Sequence, residues 1–115
     1  MMHMRRTPSE DFSIELHRAV ATHLREDPAE VRAIAGARIA RWRARGDASA
    51  RHWTSSWAEL LRLPDDDLVS RLTQPSDTLV DLYQSTPFAG VLTSAERLDI
   101  WRRVFRGTRE TRHAS

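Results

Sequence analysis

The chain has 115 residues, 40% of them hydrophobic and 30% charged, with a formal net charge of +2 and no cysteine. That length accommodates one domain, that balance belongs to a folded globular protein, and the missing thiols exclude disulfides, cysteine nucleophiles and thiolate zinc sites. No run of about 18 apolar residues is present to span a bilayer, and the opening residues lead into Thr7-Pro8-Ser9-Glu10 rather than an apolar signal core, so the expected location is the cytoplasm.

All 18 basic residues are arginine. Lysine-free usage reads first as the mark of a GC-rich coding sequence. It also supplies planar guanidinium groups suited to carboxylate or phosphate.

Residues 1–8 are expected to form a flexible arm, residues 9–107 a helical domain and residues 108–115 a flexible tail. Ser9 is read as the cap of a first helix, with Glu10 and Asp11 in its first turn. Phe12, Leu16, Ala19, Val20 and Leu24 then share one face, and the helix ends near Asp27. Asp27-Pro28 opens a second helix with Val31, Ile34, Ala35, Ile39 and Trp42 as its apolar stripe, closed by Gly46. A third is expected from Ala48 to Leu63 around Trp53, Trp57, Leu60 and Leu61. Pro64 before three aspartates starts a fourth, with Leu68, Val69 and Leu72 inward. Gln74-Pro75-Ser76 starts a fifth, which carries Leu79, Val80, Leu82 and Tyr83.

A detailed loop follows over residues 86–92. Pro87 prevents a helix from running through it and biases Thr86 toward extended backbone, while Gly90 is expected to supply a turn that other residues resist. Phe88 lies between them, either plugging a gap between helices or presented to a partner. Thr93 and Glu96 then form a capping-box pattern for a sixth helix, whose buried face is expected to be Leu98, Trp101, Val104 and Phe105. No stretch alternates with a period of two, so the fold class is all-α: one bundle of five to six helices with Trp42, Trp53, Trp57 and Trp101 in its core.

The search for chemistry returns little. Small all-α ribonucleases use an arginine followed, after four to six residues, by a histidine, and Arg18 with His23 and Arg45 with His52 fit. Arginine is so frequent here that such spacings arise by chance, and His17 and His23 are read as core-lining or surface residues. Asp77 and Asp81, one turn apart, read as a solvated face, and Asp65 to Asp67 as acids complementing a helix start. No catalytic residue, metal site or cofactor is therefore assigned, and the chain is not expected to be an enzyme. Arginines recur along one side of the second helix, at Arg38, Arg41 and Arg45, and near the end of the chain, at Arg102 and Arg106. Phosphate neutralisation uses such groups, which makes nucleic-acid binding or transcriptional regulation the alternative function.

The order Leu16-His17-Arg18-Ala19, Asp27-Pro28, Ala40-Arg41-Trp42, Trp57 with Leu60-Leu61, then Tyr83 to Leu92 with Glu96-Arg97 resembles a family of small helical proteins of high-GC bacteria. The resemblance spans nearly the whole chain. In that family the domain often follows a helix-turn-helix module and is associated with the antitoxin half of toxin–antitoxin operons; here only about a dozen residues precede the first helix. The resemblance implies a non-catalytic inhibitor that occludes a toxin encoded beside it, and no contact with membrane. Gln84, Phe88, Glu96 and Arg97 are the expected partner-binding residues.

Overall fold

Thr7, rather than Ser9, begins the first helix. Its hydroxyl accepts the Glu10 N–H at 3.1 Å while the Glu10 carboxylate accepts the Thr7 N–H at 2.9 Å, so two otherwise orphaned donors are satisfied reciprocally. Ser9 has Phe12 three residues later and cannot make that exchange. The computed structural model describes residues 6–46 and 48–114, the side chains of residues 49 and 107–114 excepted. Residues 1–5 of the expected arm thus lie outside the described residues.

Six α-helices and two 3-10 turns follow one another, with no strand among the described residues. They are α1 (Pro8–Glu26), α2 (Pro28–Arg45), α3 (Arg51–Leu60), α4 (Asp65–Thr73), α5 (Asp77–Leu82) and α6 (Ser94–Ala114). The 3-10 turns are Ala48–Ala50 before α3 and Tyr83–Ser85 after α5. Asp27 caps α2 through the Glu30 N–H, and Gly46 closes it in the left-handed region at φ 65°, a conformation that costs glycine little. The segment expected as one helix from Ala48 to Leu63 is tightened at both ends. Its exit bonds, Arg62 N–H to Glu59 and Leu63 N–H to Leu60, span three residues, because Pro64 disfavours helical backbone just before it. At the other extreme α6 runs past Gly107, where the sequence reading ended it, and its backbone is helical to Ala114.

α1 occupies the middle of the bundle and packs on α4, α6 and α2. Val20, Ala21 and Leu24 of α1 have no exposed surface, and Val31 and Ala35 from α2 and Leu68 and Leu72 from α4 close round them. Each aliphatic side chain so buried contributes about 1.5–3 kcal/mol relative to an exposed one.

The four tryptophans do not share this core. Trp57 is fully buried, Trp42 and Trp53 are half-buried at its edge, and Trp101 stays 45% exposed. The reason lies in α6, which enters the core through Ile100, 2% exposed, with Val104 packed behind it. Trp101 is one residue and about 100° further round the helix. The expected buried face of α6 is corrected accordingly, since Leu98 is 47% exposed as well.

Arg32 fastens α2 to the α3–α4 connection. Its Nε and Nη2 donate to Asp65 Oδ1 at 2.9 and 2.7 Å, and its Nη1 and Nη2 donate to the carbonyls of Leu61 and Leu63. Those carbonyls lie just past the end of α3, so one guanidinium serves a helix exit and the following helix entrance together.

Candidate partner-binding surface

The loop singled out in the sequence is tied down from below. Thr86 is extended, φ −75° and ψ 139°, as the following Pro87 requires, and Pro87 and Phe88 are fully buried. Beneath them lies His17 of α1, only 1% exposed. Its Nδ1–H donates to the Ser13 carbonyl at 2.7 Å, which leaves Nε2 as an acceptor for the Thr86 hydroxyl at 2.8 Å. The same hydroxyl oxygen accepts the Phe88 N–H at 3.2 Å. These bonds fix one tautomer of a neutral imidazole. Burial pushes His17 down to about 4, with the Ser13 hydrogen bond opposing part of the shift.

Aromatic rings complete the setting. The Tyr83 ring stacks on His17 with centroids 3.6 Å apart, and Phe88 meets His17 and Trp57 edge-on at 6.1 and 5.6 Å. The Tyr83 hydroxyl donates to the Leu72 carbonyl at 3.0 Å, and burial raises its ionisation well above the ordinary range, against a smaller opposing pull from Arg18. The Trp57 indole N–H is the one buried side-chain polar atom without a hydrogen bond among the described residues.

Of the four residues expected at a partner surface, three are engaged internally. Phe88 is fully buried, and its ring lies edge-on to His17 of α1 and Trp57 of α3. Glu96 accepts the Thr93 N–H at 2.8 Å in the expected capping box and the His23 Nε2–H at 2.7 Å. The Thr93 amide first, and the His23 hydrogen bond second, hold its carboxyl below the ordinary value. Arg97 braces the loop by donating to the Ala89 carbonyl at 2.7 Å. Gly90 does not adopt positive φ, and a Cβ there would meet Ile34 Cγ2 of α2 at 3.4 Å, an ordinary contact, so the expected turn geometry is not what places a glycine here.

Gln84 is exposed and lines two hollows. One, about 420 Å³, lies between the start of α1 and α6, with Phe12, Leu16, Trp101 and Phe105 in its walls. The other, about 690 Å³, is walled by Trp42, Trp53 and Leu82. Trp101 and Phe105 stack on each other at 4.9 Å and 29°. Periodicity had marked both as apolar; which side of α6 the bundle would leave uncovered depends on helices distant in sequence.

The arginines form two separate sets. Arg38 is half-buried on α2 while Arg41 and Arg45 are exposed; Arg102 and Arg106 are exposed on α6 beside Trp101 and Phe105. Asp77 pairs with Arg6 at 2.9 Å, and Asp81 lines the larger hollow. No group of three His, Asp or Glu side chains positioned to hold a metal ion occurs among the described residues, and none of their helices is long and apolar enough to cross a membrane. Neither a protein-family model, nor a curated protein, nor a solved structure matches this chain.

Proposed function

We propose that this chain is a non-catalytic partner-binding protein, the antitoxin of a toxin–antitoxin pair, which inhibits an enzyme encoded beside it by covering part of that enzyme's surface. The observation that carries the reading is the exposure of Leu98 and Trp101 on α6, 47% and 45%, on a helix whose other face is already packed. Large apolar side chains exposed side by side mark association surfaces, and tryptophan is enriched among the residues that dominate binding energy.

One histidine of the nuclease-like spacings, His23, and the nearby His17 have structural employment, which supports the same reading. His17 holds the loop through Thr86, and His23 holds the first turn of α6 through Glu96. The alternative, nucleic-acid binding, draws on Arg102 and Arg106 beside the same aromatic pair.

Co-expression with the product of the adjacent gene tests the proposal. A stable complex in which the neighbour's enzymatic activity is suppressed, and in which co-expression relieves growth arrest, is the expected result. A chain that leaves the neighbour unbound and instead shifts DNA in a salt-sensitive manner overturns it.

A further inference from the structure

We infer that the uncovered seam of α6 receives an acidic amphipathic helix of the partner protein; this rests on the partner-binding reading and gives that partner its chemistry. Leu98, Trp101 and Phe105 follow one another at spacings of three and four, the rhythm with which one helix accepts another. The rings of Trp101 and Phe105 stack on each other, and Leu98, three residues before Trp101, is 47% exposed on the same side of the helix. The opposite side of α6 is occupied, with Ile100 in the core and Glu96 and Arg97 bonded to His23 and Ala89. One helix thus carries two apolar faces and has only one of them covered.

Charge selects the occupant. Arg102 and Arg106 border the seam on its solvent side and line one hollow with Trp101 and Phe105. Asp99 of the same helix is turned to Arg103 at 3.3 Å, which leaves the seam's border cationic. A second copy of the chain docking through this face would set arginine against arginine. A helix with glutamates beside its own apolar stripe finds fixed cations there, as the flanking positions of paired helices require. A nucleic acid would meet the same cations, but Leu98 continues the stripe with a group that helices pack against and bases do not stack on.

Titration calorimetry and tryptophan fluorescence with three probes decide the matter: a two-heptad peptide with leucines in its seam and glutamates beside them, the same peptide with lysines in their place, and a single-stranded oligothymidylate. The glutamate peptide is expected to bind at least about tenfold more tightly than the lysine peptide. Trp101→Ala and Leu98→Glu, both at exposed positions, are each expected to weaken it by about tenfold or more, with unchanged circular dichroism. Arg102→Glu combined with Arg106→Glu should invert the preference between the peptides. Equal or absent binding of the two peptides, a Trp101-dependent preference for the oligothymidylate, or a dimer that Leu98→Glu dissolves would each overturn the inference. The adjacent gene product separates the two readings. If it binds wild type and every variant alike, the seam is wrong and the inhibitor reading stands; if the acidic peptide binds and the gene product does not, the reverse holds.

Discussion

Two aromatic groups in this protein use the same residue types and end in opposite states. Around His17, the rings of Tyr83, Trp57 and Phe88 close on one another, and every polar tip but the Trp57 indole finds an acceptor or donor. Along α6, Trp101 and Phe105 stack on each other beside an open hollow, and Trp101 keeps nearly half its surface. The difference lies in what surrounds them. The first group sits where α1 meets the 3-10 turn and loop from the other half of the chain, so neighbours arrive from several elements. The second sits one residue round from Ile100, at the rim of the hollow between α6 and the start of α1. Burial of an aromatic thus follows from the elements converging on it; its own hydrophobicity does not decide the matter.

The sharpest way to break that contrast is truncation on each side of it. Trp57→Ala should cost about 3–5 kcal/mol in urea unfolding, as large core aromatics do, while Trp101→Ala should cost less than about 1 kcal/mol. Equal costs would mean that the α6 seam belongs to the core after all.

Acid titration is expected to act on the first group and leave the second untouched. The unfolded chain takes up a proton on His17 near 6.5, whereas the folded protein resists until about 4. Stability should be full above 6.5 and fall by about 3 kcal/mol as pH drops to about 4, because the unfolded state binds the proton first. Glu96 adds to the loss further down, as pH falls below 4.5, since its folded carboxyl ionises below that value. Urea midpoints across this range check the trend, and His17→Phe should flatten its upper part. A wild-type profile that is level from 6.5 to 4 would show that the imidazole is not held neutral in the fold.

A smaller effect is expected at Arg32, a polar analogue of the buried nest. Arg32→Ala should cost about 1–3 kcal/mol by leaving the Leu61 and Leu63 carbonyls without their donor. Arg32→Lys should recover little, since a single ammonium cannot span two carbonyls and the Asp65 carboxylate. Thermal or urea unfolding of the two variants side by side provides the check, and full rescue by lysine would show that charge alone is sufficient.

Helix boundaries were legible from local signals wherever a cap was written into adjacent residues. Asp27-Pro28, Gly46, Pro64, Ser76 and the Thr93–Glu96 pair all stand where capping chemistry put them. The first cap was misplaced by two residues, although Glu10 three positions after Thr7 is the same signal. What could not be read were relations between distant residues. His17 and Thr86 are 69 positions apart, and nothing near either one announces the bond. Of the expected α6 face of Leu98, Trp101, Val104 and Phe105, Val104 packs on the core and Phe105 is half-buried, while Leu98 and Trp101 stay exposed, because periodicity describes a helix's own surface and is silent about which neighbour arrives. For the same reason the burial of Phe88, the bond from His23 to Glu96 and the bond from the exposed Arg97 to the loop were beyond local reading.

The central position of α1 also sets an order of events during synthesis. Leu16, Val20 and Leu24 are followed at once by α2, which covers them in part, while α4 and α6, which complete the cover, are made much later. At a translation rate of about 5–20 residues per second, that apolar stripe stays only partly covered for several seconds while α4 and α6 are produced. His17 meanwhile has no Thr86 to bond. An emerging chain of this kind needs α6 to complete the cover of α1, so a stop ahead of Ser94 is expected to yield a sticky fragment rather than a smaller version of the same bundle.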